Sequence, residues 1–87
     1  MIDIDNEVKQ LLLRKRNIRF REMEKLLLDL GFVTRQQKRG GSHYVFSHRN
    51  IDSLIVLVSH GRNDILPEYQ VRKAIQSIQK LKEHLEK

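Results

Sequence analysis

Ile4, Val8, Leu11 and Leu12 recur along the first segment at spacings of four, three and one, with Lys9 and Arg14–Arg16 off that line. The spacing predicts a short helix over about residues 4–15, broken at Asn17. Phe20, Met23, Leu26, Leu27 and Leu30 repeat the helical period, and Gly31 stands where a left-handed cap belongs, so residues 20–30 form a second amphipathic helix. The pattern then changes. "GFVTRQQ" turns to extended chemistry, Gly40-Gly41 supplies a turn, and "SHYVFSHR" alternates around β-branched and aromatic residues. "RNID" makes a second turn and "SLIVLVS" a third strand, apolar in its middle. Short turns between consecutive strands favour an antiparallel meander. A loop, "HGRNDILPE", leads to a last helix with Pro67 in its first turn. Val71, Ala74, Ile75, Ile78, Leu81 and Leu85 form its apolar stripe, which ends near residue 85.

The predicted order is α-α-β-β-β-α. A three-stranded antiparallel sheet must bury one face, and the amphipathic helices can cover it, leaving the other wet. The expected fold class is α+β, a two-layer single domain, as suits 87 residues without repeats or a Pro/Gly-rich linker.

Composition narrows the function. There is no cysteine, so neither a disulfide framework nor a thiolate zinc site is available. The start lacks the basic and apolar regions of a secretory signal, and the apolar run Leu54 to Val58 is far too short to span a bilayer. A soluble cytoplasmic protein is expected. Seventeen Lys and Arg against eleven Asp and Glu give a net charge of +6. From Lys9 to Arg49 there are eleven basic and three acidic residues, 11 − 3 = +8, so the remainder carries −2. Such a concentrated field attracts polyanions. Nucleic acid is the first expectation; an acidic protein or an anionic membrane surface would answer the same field.

The stretch "RGGSHYVFSH" places His43 directly behind Gly40, Gly41 and Ser42. Period two puts His43, Val45 and Ser47 on one side of the strand and Tyr44, Phe46 and His48 on the other. Tyr44 and Phe46 are the more apolar pair, so His43 is expected on the open face. Glycine lets a phosphodiester approach the backbone, a turn of successive N–H groups can cradle an anion, and Lys38 and Arg39 flank that turn. RNA carries its own nucleophile, the 2′-OH. Cleavage then needs a base near neutral pH, an acid for the leaving oxygen and positive charge for the phosphorane. Histidine is the side chain whose unperturbed pKa suits the first two.

The plainer reading of His43 is a surface residue where a hairpin opens. His48 is expected to be structural or a turn residue, His84 to be solvent-exposed, and His60, in "SHGRND", to cap its loop or help bind phosphate. No histidine spacing fits a zinc set, and without a carboxylate cluster a two-metal nuclease site is hard to build. No cofactor is expected.

"FREMEKLLLDLGFVTRQQKRGGSHYVFSH" resembles the HicA family of toxins, small ribonucleases of type II toxin–antitoxin pairs. The resemblance rests on Leu26, Leu27, Leu30, Gly31 and Phe32, then on Gly41-Ser42-His43 opening a strand; "VSHGRNDILPEYQVRKAI" is similar to the family's closing section. It covers roughly residues 18–80. It implies a fold like double-stranded-RNA-binding domains, mRNA cleavage with His43 as the catalytic residue, and a HicB-type antitoxin that blocks that histidine. Many members carry a second histidine where this chain has Tyr44; Tyr44 itself or His60 would have to substitute. Residues 1–17 lie outside the family core as an N-terminal helical extension to a domain of residues 18–87. Their Arg14-Lys15-Arg16 run could extend an RNA surface, contact the antitoxin, or simply be a solvated helix end.

The expectation is therefore a toxin-type endoribonuclease. His43 is its general acid/base, Gly40, Gly41 and Ser42 position the phosphate, and Arg35, Lys38 and Arg39 supply charge to the backbone. The rival readings are a non-catalytic RNA-binding module and a protein whose basic face pairs with an acidic partner.

Overall fold

The computed structural model describes residues 3–36, 43–61 and 63–86. The elements run α1 (Ile4–Leu13), α2 (Phe20–Asp29), β1 (Val33–Gln36), β2 (His43–His48), β3 (Ile51–Val58) and α3 (Glu68–Leu85). The predicted α-α-β-β-β-α order is the observed one. The expected turn at Gly40-Gly41 lies outside the described residues.

Each helix begins and ends for a local reason. Asp3 caps α1 by accepting the Asn6 N–H at 3.1 Å, and Asp5 and Glu7 add negative charge to its first turn. α1 stops at Leu13, two residues before the apolar spacing alone suggests: the Arg14 N–H still closes the last turn onto Gln10 and Leu11, but Arg14 itself leaves helical geometry, with φ −116° and ψ 18°. Glu22 accepts the Arg19 N–H at 3.3 Å at the start of α2. At its end Gly31, with φ +98°, lets the Phe32 N–H reach the Leu27 carbonyl at 2.9 Å. A Cβ on Gly31 would also stand 3.0 Å from His48 Nε2. Pro67 is the cap before α3, with φ −58° and an extended ψ of 145°, so the helix begins at Glu68.

The sheet is an antiparallel meander in the order β1-β2-β3. β3 starts at Ile51, two residues before "SLIVLVS", because Arg49 and Asn50 alone make the turn. On the helix side, Phe46, Ile55 and Leu57 are buried with Phe20, Met23 and Leu27 of α2 and Val71, Ala74, Ile78 and Leu81 of α3. Burying Phe46 fully contributes about 2 kcal/mol over leaving it exposed. A slip of one residue in β2 would exchange Tyr44 and Phe46 for His43, Val45 and Ser47, so that burial fixes the register.

α1 lies against α3 and buries Val8 and Leu11. Between β3 and α3 the loop is tied to the segment before α2. The Phe20 N–H donates to Asp64 O and the Leu66 N–H to Ile18 O, both at 2.8 Å, and Ile18 and Leu66 are buried. Among the described residues no helix is long and apolar enough to cross a membrane.

Candidate active site

His43 is the first residue of β2 and is exposed. Its Cα partner is Val58, the last residue of β3, while Val45 is paired with both Arg35 of β1 and Val56 of β3. Residues directly opposite in an antiparallel sheet share a face, so His43, Val45, Arg35, Val56 and Val58 all lie on the side away from the helices. Arg35 and Val56 are exposed there. A titratable imidazole and a guanidinium thus share an open, largely apolar face, which suits an extended chain better than a small enclosed ligand.

Tyr44 lies on the other side. Its ring centroid is 4.7 Å from that of Phe20, and it packs half-buried against the core. That position takes its phenol off the face His43 occupies. His48 is also on the helix side. Its Nε2 lies 3.1 Å from the Leu30 carbonyl oxygen, its Nδ1 accepts the Asn50 N–H at 3.1 Å, and its ring meets Phe32 edge-on at 5.0 Å. A neutral ring with its proton on Nε2 satisfies both hydrogen bonds. His84 is exposed in the last turn of α3. Lys38, Arg39, Gly40, Gly41 and Ser42, all expected to contact phosphate, lie outside the described residues.

His60 leaves the sheet two residues after Val58, at the end where His43 begins β2. The loop there is closely tied. Ser59 is buried and its hydroxyl donates to the Gly61 carbonyl; the Gly61 N–H returns to Ser59 Oγ at 3.2 Å. The His60 N–H donates to Asp64 Oδ2 at 2.8 Å, and Arg19 donates to the Asn63 carbonyl at 2.6 Å. His60 therefore fixes its loop through its backbone, while the residue itself is exposed.

Sequence reasoning passed over Gln70. It is buried in the first turn of α3, and its Oε1 accepts the Val58 N–H at 3.1 Å, which anchors the strand end facing His43. A signal was present: Gln70 and Ser77 are polar residues on the same helical face as Ala74 and Leu81. Both turn out to reach β3, for Ser77 Oγ is 2.6 Å from Ser53 Oγ.

The Arg14-Lys15-Arg16 run is tied down at both ends. Arg14 holds Glu22 with contacts of 2.9 and 3.2 Å, and Arg16 holds Glu68 at 2.8 Å. Arg72 also pairs with Glu68. The hydrogen bond from Arg14 draws the Glu22 carboxyl below its ordinary pKa, and that from Arg16, helped by the charges of Arg72 and Lys15, does the same to Glu68. Lys82, paired with Asp5, is raised by that hydrogen bond. These pairs are mostly exposed, so each adds little stability; together they orient the N-terminal segment on α2 and α3.

A family model described as the HicA toxin of bacterial toxin–antitoxin systems matches residues 20–80. The chain belongs to the HicA toxin family. It is accordingly the toxin component of a toxin–antitoxin system, and an antitoxin is its partner. The match runs from the first residue of α2 into α3 and takes in the whole sheet, with His43, Arg35 and His60. α1 lies outside it. No curated protein and no solved structure gives a significant match.

Proposed function

We propose that this HicA toxin is a cytoplasmic endoribonuclease that cleaves mRNA by a route needing no metal ion, with His43 as its catalytic residue. The observation that carries the proposal is the placement of His43, exposed at the start of β2 on the open face that also bears Arg35. Just before it in sequence stand Lys38, Arg39, Gly40, Gly41 and Ser42, the residue types that phosphate binding needs. In the proposed step His43 or its partner takes the proton of a 2′-OH. The 2′-oxygen then bonds to the adjacent phosphorus, and the P–O5′ bond breaks. The second group protonates the departing 5′-oxygen. The products are a 2′,3′-cyclic phosphate and a 5′-hydroxyl, with no net consumption of protons.

His60 is the proposed second group, since its loop leaves the sheet at the end where His43 stands. Tyr44 is the weaker candidate because its ring packs on Phe20 across the sheet. A HicB-type antitoxin would neutralise the toxin by covering the face of His43. The N-terminal helix is proposed as an extension that braces α2 and α3, with Arg14 and Arg16 engaged by Glu22 and Glu68.

The chemistry is tested by comparing an mRNA fragment with a 2′-O-methyl version of the same sequence. The toxin should cleave only the first, leaving cyclic phosphate ends, and should bind both. Cleavage of the methylated strand would rule out attack by the 2′-oxygen. Binding of both with cleavage of neither would leave an RNA-binding module.

A further inference from the structure

Tyr69 stands in the first turn of α3 with 60 % of its surface exposed, in a chain that has two tyrosines and no tryptophan. A single exposed aromatic is ordinary on any surface. This one is held in place. The buried Gln70 carboxamide donates from Nε2 to the Tyr69 hydroxyl at 3.1 Å, and its Oε1 accepts the Val58 N–H, also at 3.1 Å. Val58 is the residue paired with His43. Two hydrogen bonds joined through one amide group put the Tyr69 hydroxyl within roughly 9 Å of the Val58 nitrogen. The exposed ring therefore stands near the end of β3 that pairs with His43.

A second residue extends this feature. Lys73 is exposed and follows Tyr69 by four positions, which puts both on one side of α3. It also falls between Gln70 and Ser77, whose side chains hydrogen-bond to β3. β3 is an outer strand of the sheet, so ring and ammonium run along that margin.

We propose that Tyr69 is a nucleobase-stacking platform, with Lys73 holding a neighbouring phosphate, for the nucleotide next to the one cleaved at His43. The proposal rests on the ribonuclease reading and narrows its substrate to single-stranded RNA. An unpaired base can offer its face to an aromatic ring, whereas in an A-form duplex that face is covered by its neighbours. The Gln70 hydrogen bond fixes the phenol before RNA arrives, so less side-chain freedom is lost on binding.

Tyr69→Trp, made in a His43→Ala background so that RNA is not consumed, introduces the only tryptophan of the chain. A short single-stranded oligoribonucleotide should quench its fluorescence, and an abasic ribose-phosphate strand of equal length should not. Tyr69→Ala in the same background should weaken oligoribonucleotide binding about tenfold and leave abasic binding unchanged; Tyr69→Phe, which keeps the ring but loses the Gln70 hydrogen bond, should fall between Tyr69→Ala and the parent. Equal quenching by both strands, or Tyr69→Ala binding RNA like the parent, would overturn the stacking site. The two readings fail separately: cleavage by the native chain without base-dependent quenching removes only the platform, and quenching without cleavage removes only the ribonuclease.

Discussion

His43 and His48 occupy the two ends of β2 and project to opposite faces of the sheet. One meets solvent on the open side. The other is fixed by the Leu30 carbonyl, the Asn50 N–H and the Phe32 ring. Five positions of a strand thus separate two imidazoles with unlike work. His48→Ala should lower stability by about 1–3 kcal/mol, because it removes both ring hydrogen bonds and leaves the Leu30 carbonyl short of a donor and the Asn50 N–H short of an acceptor. The rate of RNA cleavage per folded molecule should not change. Denaturant midpoints and turnover measured on the same samples check both halves.

Tyr44 gives the complementary case. With its ring on Phe20, Tyr44→Phe keeps the packing and should cleave RNA at the wild-type rate. Tyr44→Ala opens the layer between sheet and α2 and should cost about 2–3 kcal/mol. A large loss of turnover in a fully folded Tyr44→Phe protein would return the phenol to the list of acids.

With His60 as the second acid/base group, His60→Gln should lower turnover about a hundredfold or more with little effect on KM. Its backbone bond to Asp64 survives the change, so the loop should stay folded. Wild-type turnover in a folded His60→Gln protein would exclude His60.

The tethers of the N-terminal segment give stability a defined pH dependence. Glu22 and Glu68 are depressed in the folded protein, chiefly by hydrogen bonds from Arg14 and Arg16. Their contribution is therefore fully present above the ordinary carboxyl pKa of 4.5 and is lost as pH falls through the lower folded value. Lys82 behaves oppositely: its raised pKa makes its contribution complete below 10.5 and lost as pH climbs beyond the folded value. The melting temperature of Glu68→Gln should lie below that of wild type at neutral pH, with the gap closing in acid and shrinking with added salt. A gap that is constant from neutral to acid pH would contradict the assignment.

What could be read from the sequence was whatever depends on neighbours within a turn or two. The stripe Phe20-Met23-Leu26-Leu27 announced α2, and Tyr44-Phe46 announced which side of β2 faces the core. Gly41-Ser42-His43 carried the resemblance that the family match bears out. Contacts between distant segments left weaker traces. Gln70's place on the apolar face of α3 hints that its amide is buried but not that it reaches Val58 twelve residues earlier, and Arg16 meets Glu68 across fifty-two positions. "RNID" looked like a four-residue turn because Asn and Asp favour turns. In the fold Asp52 is exposed on β3 while Ile51 packs on the core, so pairing with β2 overrides that preference.

The central claim is that His43 cleaves RNA. Purified antitoxin-free toxin and its His43→Ala variant, each incubated with labelled mRNA in EDTA, test it most directly. Cleavage by wild type alone is the predicted result. Equal cleavage by the two proteins, or none by the wild type, would contradict the account.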